Sequence, residues 1–170
     1  MKEELIQNLE RLVRYPSIYS EEENTPFGVQ VKKCLEEALK IGYRYGLKTK
    51  NLNDYCGYIE VGEGKEIIGI LCHLDVVPEG SGWNTNPFQL TEIDGKLYGR
   101  GVSDDKGAVS AMLIVMKLLK SEKIPDNKKV RLILGCNEES GSKDMEYYKK
   151  VEGDIQIGFT ILLQKLDVIM

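Results

Sequence analysis

The stretch EIIGILCH, Glu66–His73, is a continuous apolar run that ends at the single histidine of the 170-residue sequence. Such a run is typical of a strand that is covered on both faces, as strands of parallel sheets are. A similar run follows at Val130–Cys136, and the segment between them, Lys106–Lys120, is apolar almost all round, which predicts a buried helix. The order strand, helix, strand predicts a βαβ unit with parallel strands, and hence an α/β fold.

Composition and charge exclude several classes of protein. The net charge is −4, from 27 acidic and 23 basic residues, and the lack of a long basic block argues against nucleic-acid binding. The first 30 residues have no apolar core typical of a signal peptide, and no apolar run is long enough to span a membrane. We therefore expect a cytoplasmic protein that binds neither nucleic acid nor membrane.

The four cysteines form no C-x-x-C pair. Without a secretory signal we expect them to be reduced and buried. A metal site in this chain would then have to be built from His, Asp and Glu.

Periodicity predicts further elements on both sides of this unit. Helical spacing of apolar residues in EELIQNLERLVRY predicts a helix that ends near Pro16. A second helix is predicted in TPFGVQVKKCLEEALKIGYRYG, with Thr25 as its cap, Pro26 in its first turn, and Gly42 or Gly46 at its end. YCGYIEV and IQIGF are predicted as short strands, SKDMEYYKKV as a helix, and EIDGKLYGRG as a hairpin with its turn at Asp94-Gly95.

Polar clusters follow the predicted buried strands. His73 ends one strand, Asn137-Glu138-Glu139 follow another, and Asp104-Asp105 precede the helix between them. Ligands of open α/β sheets bind at the carboxyl ends of the strands. The topology therefore predicts that all three clusters lie at one edge of the sheet.

Each cluster has a functional and an ordinary interpretation. His73 offers an imidazole nitrogen to a metal, and Asp75, two residues on, could orient the ring, but a loop histidine satisfied by neighbours would look the same. Asp104 and Asp105 could cap a helix. Their segment, GRGVSDDKG, does not have the spacing of a phosphate-binding P-loop. The Glu138-Glu139 pair could supply a metal ligand and a general base, or form a solvated turn. The convergence of the clusters at one edge favours a metal site.

The segments HLDVVP, GWNTNPF, LYGRGVSDDKG and NEESG, in this order and spacing, resemble the zinc exopeptidase family of aminoacylases, carboxypeptidase G and dipeptidase V. The dipeptidase V branch is the most similar, and the resemblance covers about Met1 to Phe159. It implies the N-terminal part of a catalytic domain, residues 1–159, with a mixed, mostly parallel sheet flanked by helices.

The resemblance also implies roles for five residues. His73 would bind the first zinc, oriented by Asp75. Asp104 would bridge two zincs, in a family that often has a cis peptide after this aspartate. Glu138 would be the general base, and Glu139 would bind the second zinc. The carboxylate-rich ligand set would also tolerate manganese or cobalt.

The implied activity is metal-dependent hydrolysis of small peptides, most simply dipeptides. Deacylation of N-acyl amino acids is an alternative within the family, since the same site cleaves either amide. A third hypothesis, from another class, is a non-catalytic binding domain. Oligomeric state is not predicted.

The sequence also departs from the family pattern. No Pro-Asp pair follows Thr160 and there is no second histidine, so only three of the five expected metal ligands are present. Asp167 stands in the wrong context to replace one. We expect a truncated chain of impaired activity, without the lid domain and the C-terminal half. Its residues 160–170 would then be a divergent, out-of-frame tail.

Overall fold

Residues 1–160 are described by a computed structural model, and residues 161–170, which hold nearly all of the predicted tail, lie outside the described part. The described part contains four α-helices and seven β-strands. The helices are α1 (Lys2–Val13), α2 (Val29–Arg44), α3 (Lys106–Leu119) and α4 (Lys143–Glu152). The strands are β1 (Lys48–Leu52), β2 (Cys56–Gly62), β3 (Glu66–His73), β4 (Thr91–Ile93), β5 (Lys96–Tyr98), β6 (Lys128–Gly135) and β7 (Ile157–Thr160).

Five strands form one mixed sheet in the order β1-β2-β6-β3-β7. β3 pairs in parallel with β6 and with β7, whereas the pairs β1–β2 and β2–β6 are antiparallel. The βαβ unit predicted from the two apolar runs is therefore present as β3-α3-β6. β4 and β5 form the predicted hairpin, with Asp94 and Gly95 both at positive φ in its turn. The α/β class is confirmed.

Side chains that alternate along the central strands separate two apolar clusters, one on each face of the sheet. On one face, Leu132 and Leu134 of β6 pack with residues of α1, α2 and α3. On the other face, Ile133 packs with Tyr148 of α4. The central strands are therefore covered on both faces, which is why their sequences read as continuous apolar runs. None of the helices in residues 1–160 combines the length and hydropathy needed to cross a membrane.

The start of α2 differs from the prediction. Thr25 does not cap this helix, which begins at Val29 after Gly28, a residue with φ of 103°. The chain stays non-helical to this point because the Phe27 side chain is buried in the core and its carbonyl oxygen accepts a hydrogen bond from the N–H of Ser20. A tertiary contact thus outweighs the local capping signal.

Strand β1 was not predicted. Its sequence, KTKNL, carries charges and is mostly exposed, so it has no hydrophobic period to detect. It pairs with β2 through a tight turn at Asn53-Asp54, where both residues have positive φ. The turn residues were the available signal, because Asn and Asp tolerate this conformation better than most residues.

An ion network centred on the buried Arg131 joins α4 to the sheet. The Arg131 guanidinium donates to the carboxylate of Glu60 at 2.6 and 2.8 Å, and to the Tyr148 hydroxyl and the Glu152 carboxylate at 2.9 Å each. Lys50 donates to the other oxygen of Glu152 at 2.7 Å. The network joins β1, β2, β6 and α4, and it fixes the helix that follows the Glu138-Glu139 pair.

Glu152 gives this network a predicted pH dependence. Burial raises the pKa of Glu152, but hydrogen bonds from Lys50 and Arg131 outweigh burial, so the pKa lies below its ordinary value of 4.5. A carboxylate with a depressed pKa in the folded state stabilises the fold above its unfolded pKa, and this contribution is lost as the pH falls. We expect wild type to lose more stability than Glu152→Gln between about pH 6 and pH 3 in urea unfolding. Equal losses would contradict the assignment.

Candidate active site

The carboxyl ends of β3 and β6 bring two of the predicted clusters side by side. His73 is the register partner of Gly135, and the N–H of Leu74 donates to the Gly135 carbonyl at 2.9 Å. Two residues after β6 ends at Gly135, the chain enters a short 3-10 helix, Glu138–Ser140. The single histidine and the glutamate pair therefore lie at the same edge of the sheet, as the topology predicts.

Asp104 reaches this edge from the loop before α3. His73 Nε2 lies 2.9 Å from Asp104 Oδ1 and 3.9 Å from Glu138 Oε2. The imidazole is only 4% exposed, whereas the side chains of Asp104 and Glu138 are 58% and 46% exposed. A buried ring thus faces two carboxylates that are open to solvent.

Asp75 lies next to the His73 imidazole, on the side of Nδ1. His73 Nδ1 is 3.1 Å from the carbonyl oxygen of Asp75 and 3.4 Å from its carboxylate. That carboxylate also accepts hydrogen bonds from the backbone N–H groups of Glu138, at 3.2 Å, and Glu139, at 3.0 Å. Asp75 therefore contacts both the imidazole and the backbone of the glutamate pair.

Asp105 stands at the start of α3, but its side chain makes no capping hydrogen bond there. Its Oδ2 instead accepts the backbone N–H of His73 at 3.1 Å, while the buried Oδ1 has no partner in the described part of the chain. The peptide bond between Asp104 and Asp105 is cis. The capping interpretation is thus wrong for Asp105, whose carboxylate supports His73.

The charged side chains around His73 shift one another's pKa values. Burial lowers the pKa of His73, but Asp75, Asp105 and Asp104 outweigh burial and raise it to about 10. Burial raises the pKa of Asp105 to about 6, and burial together with Asp104 raises the pKa of Glu139. Both imidazole nitrogens face oxygen acceptors, which favours the doubly protonated ring. The site is a strongly acidic environment that stabilises a cation.

The donor set fits part of a metal centre. An imidazole nitrogen and carboxylate oxygens suit Zn²⁺, Mn²⁺ or Co²⁺, and His73, Asp104 and Glu138 converge from three elements. Residues 1–160 contain no group of three or more His, Cys, Asp or Glu side chains arranged to hold a metal ion. The described residues alone therefore do not form a complete metal site.

Two supporting residues, Asp144 and Lys106, were not predicted from the sequence, and Asp105 was predicted only as a possible helix cap. Asp105 holds the His73 backbone, and Asp144 of α4 accepts the N–H groups of Cys136 and Asn137 at 2.6 and 2.9 Å. Lys106 is fully buried and donates to the Tyr15 carbonyl at 2.8 Å, and burial lowers its pKa. The available signal was the presence of charged residues in otherwise buried segments, which demands partners.

An imidazole and several carboxylates at the carboxyl edge of an α/β sheet define a candidate metallohydrolase-type site. Residues 69–164 match the model of peptidase family M20/M25/M40. This match covers more than half of the chain, which therefore belongs to that family.

Relatives and solved structures agree with this assignment. A Bacillus subtilis protein named "Putative dipeptidase YtjP" is 41% identical over 161 residues, which is 93% of this chain and 35% of the relative. Human carnosine dipeptidase 1 superposes with a TM-score of 0.77 at 25% identity, over 94% of this chain and 38% of its own. The M20 family metallo-carboxypeptidase Sso-CP2 from Sulfolobus solfataricus has a TM-score of 0.71 at 26% identity, over 92% and 37%. The chain spans little more than a third of the length of these proteins.

Proposed function

We propose that this chain carries part of the catalytic site of a metal-dependent peptidase that hydrolyses dipeptides. The observation that carries the proposal is the convergence of the His73 imidazole with the Asp104 and Glu138 carboxylates at the sheet edge. Family membership and the dipeptidase names of two similar proteins support the peptide substrate.

We assign roles to the residues on this basis. His73, Asp104 and Glu139 would hold the metal, which when bound would lower the pKa of water and polarise the scissile carbonyl. Glu138 would act as the general base, because its carboxylate is half exposed and lies beside the imidazole. It would take a proton from the attacking water and return it to the leaving amine.

Asp75 would act as a positioning residue in this proposal. Its carbonyl and carboxylate oxygens both face Nδ1 of His73, so they fix the orientation of the ring and leave Nε2 directed towards Asp104. Support of this kind typically raises metal affinity by 10- to 100-fold. Zinc is the metal we propose, with manganese and cobalt as the other candidates.

We also propose a cytoplasmic location. All four cysteines are buried and free of disulfides. Reduced thiols are the ordinary state of cytoplasmic proteins.

A hydrolysis assay tests the proposed function. We expect the chain to cleave dipeptides in a reaction that needs added Zn²⁺, Mn²⁺ or Co²⁺ and stops with EDTA. The turnover should be slow, because the whole sequence has one histidine and the described residues alone do not form a complete metal site. A family peptidase assayed in parallel sets the reference rate.

The same assay on N-acetyl amino acids separates the alternatives. Cleavage of N-acetyl amino acids with no cleavage of dipeptides would replace the proposal with a deacylase. No metal-stimulated cleavage of either panel would favour the non-catalytic binding domain. A rate equal to that of the reference peptidase would contradict the expectation of an incomplete metal site.

A further inference from the structure

Consecutive backbone N–H groups in the segment Cys136–Glu139 are all held by two buried carboxylates. The first two, of Cys136 and Asn137, donate to a single oxygen of Asp144. The next two, of Glu138 and Glu139, donate to the two oxygens of Asp75. Hydrogen bonds to an ionised acceptor are roughly twice as strong as neutral ones. The backbone that presents the glutamate pair is therefore fixed along its whole length, from two different elements.

The Asp144 carboxylate is buried, and both of its oxygens accept backbone hydrogen bonds. Its side chain is almost fully buried, and its second oxygen accepts the N–H of Met145 at 2.8 Å. A Cβ placed on Gly135 would come within 2.8 Å of Asp144 Oδ2, so the glycine leaves room for the carboxylate to reach the backbone. Every acceptor oxygen of Asp144 is thus used to hold main chain.

The helix that carries Asp144 is itself anchored. Tyr148 and Glu152, one and two turns further along α4, bind the Arg131 guanidinium of the central strand β6. Asp144 therefore connects helix α4, which is bound to β6, with the segment Cys136–Glu139, which follows the same strand.

We infer that Asp144 is a positioning residue that fixes the backbone of the Glu138-Glu139 pair, and through it the carboxylates of the site. The inference rests on the proposed function, in which these glutamates are the general base and a metal ligand. Within residues 1–160 the Asp144 carboxylate makes its hydrogen bonds to Cys136, Asn137 and Met145 and none to the imidazole or Asp104, so it acts only through the turn.

The test compares Asp144→Ala with Asp144→Asn and with the control Asp154→Ala. Asp154 is an exposed aspartate that pairs with Lys149. The alanine variant removes all three acceptor contacts, whereas asparagine keeps an oxygen that can accept the N–H groups of Cys136 and Asn137. Amide proton shifts and hydrogen exchange at 136–139 report whether the backbone hydrogen bonds of the turn are intact. Co²⁺ titration of the same variants reports the metal affinity of the site.

In Asp144→Ala we expect the amide protons of Cys136 and Asn137 to shift upfield, and exchange at 136–139 to accelerate about tenfold or more. Asp144→Asn should recover much of this, and Asp154→Ala should match wild type. Co²⁺ affinity should fall about tenfold in the alanine variant, with a partial return in the asparagine variant.

Unchanged amide shifts and exchange rates at 136–139 in Asp144→Ala would overturn the inference. Altered shifts and rates with a wild-type Co²⁺ affinity would also overturn it, because Asp144 would then support the turn without affecting the site. If the alanine variant unfolds, Asp144→Asn decides. Changes confined to 136–139 support the inference, and changes spread over the whole chain overturn it. A wild-type chain that binds no Co²⁺ would remove the metal from the proposed function, while the amide data would still decide whether Asp144 holds the turn.

Discussion

The Arg131→Met variant is expected to lose about 3–5 kcal/mol of unfolding free energy. Arg131 is 3% exposed and donates to Glu60, Tyr148 and Glu152. Methionine fills a similar volume but leaves the buried Glu60 carboxylate and the partly buried Glu152 carboxylate without their shared cation. Removing one partner of a buried ion pair is costly because the remaining charge stays desolvated. Ordinary domains have about 5–15 kcal/mol in total, so this loss is a large fraction.

The control for this prediction is Lys48→Met. Lys48 also makes an ion pair, with Glu63 at 2.6 Å, but both side chains are more than half exposed. Exposed pairs contribute about 0–1 kcal/mol, so the control should stay close to wild type. Urea unfolding followed by circular dichroism gives both values. Lys129 Nζ lies 3.5 Å from the Glu60 carboxylate, and Lys50 Nζ lies 2.7 Å from that of Glu152. A loss below about 1 kcal/mol in Arg131→Met would mean that these two lysines neutralise the glutamates without the arginine.

The central βαβ unit was predictable from the sequence because burial on both faces leaves a continuous apolar run. Glu66–His73 and Val130–Cys136 have this pattern, and the helix between them is apolar almost all round. Once the strands were known to be parallel, the convergence of His73 with Glu138 followed from topology alone. The structure places their side chains 3.9 Å apart across the sheet edge.

The supporting contacts were not predictable in the same way. Asp75 holds the N–H groups of Glu138 and Glu139 from 63 and 64 residues away, and no local pattern encodes such a pairing. Asp144 lies in a segment whose period predicts only a helix. The prediction of where α2 starts was wrong for a related reason, since the burial of Phe27 overrides the capping preference of Thr25. Local propensity predicts elements, whereas buried polar groups find their partners only in the folded chain.

Replacing His73 with asparagine is expected to weaken Co²⁺ binding by about 100-fold or more. His73 supplies the single imidazole of the sequence, and its Nε2 is directed at Asp104. Loss of a residue that merely orients a ligand typically costs 10- to 100-fold in metal affinity, so loss of the ligand itself should cost at least as much. Asparagine remains polar and can still donate a hydrogen bond to the Asp75 carbonyl.

Co²⁺ is the probe for this prediction because its visible absorption reports the coordinating atoms as well as the affinity. The control is Asp94→Asn, at an exposed position in the β4–β5 turn where asparagine also tolerates the positive φ of 51°. Thermal unfolding of each variant separates a lost ligand from a lost fold. If His73→Asn binds Co²⁺ as tightly as the control, with the same spectrum, the imidazole is not a ligand. The metal would then be held without the imidazole, and the convergence of His73 with Asp104 and Glu138 would no longer support the proposed function.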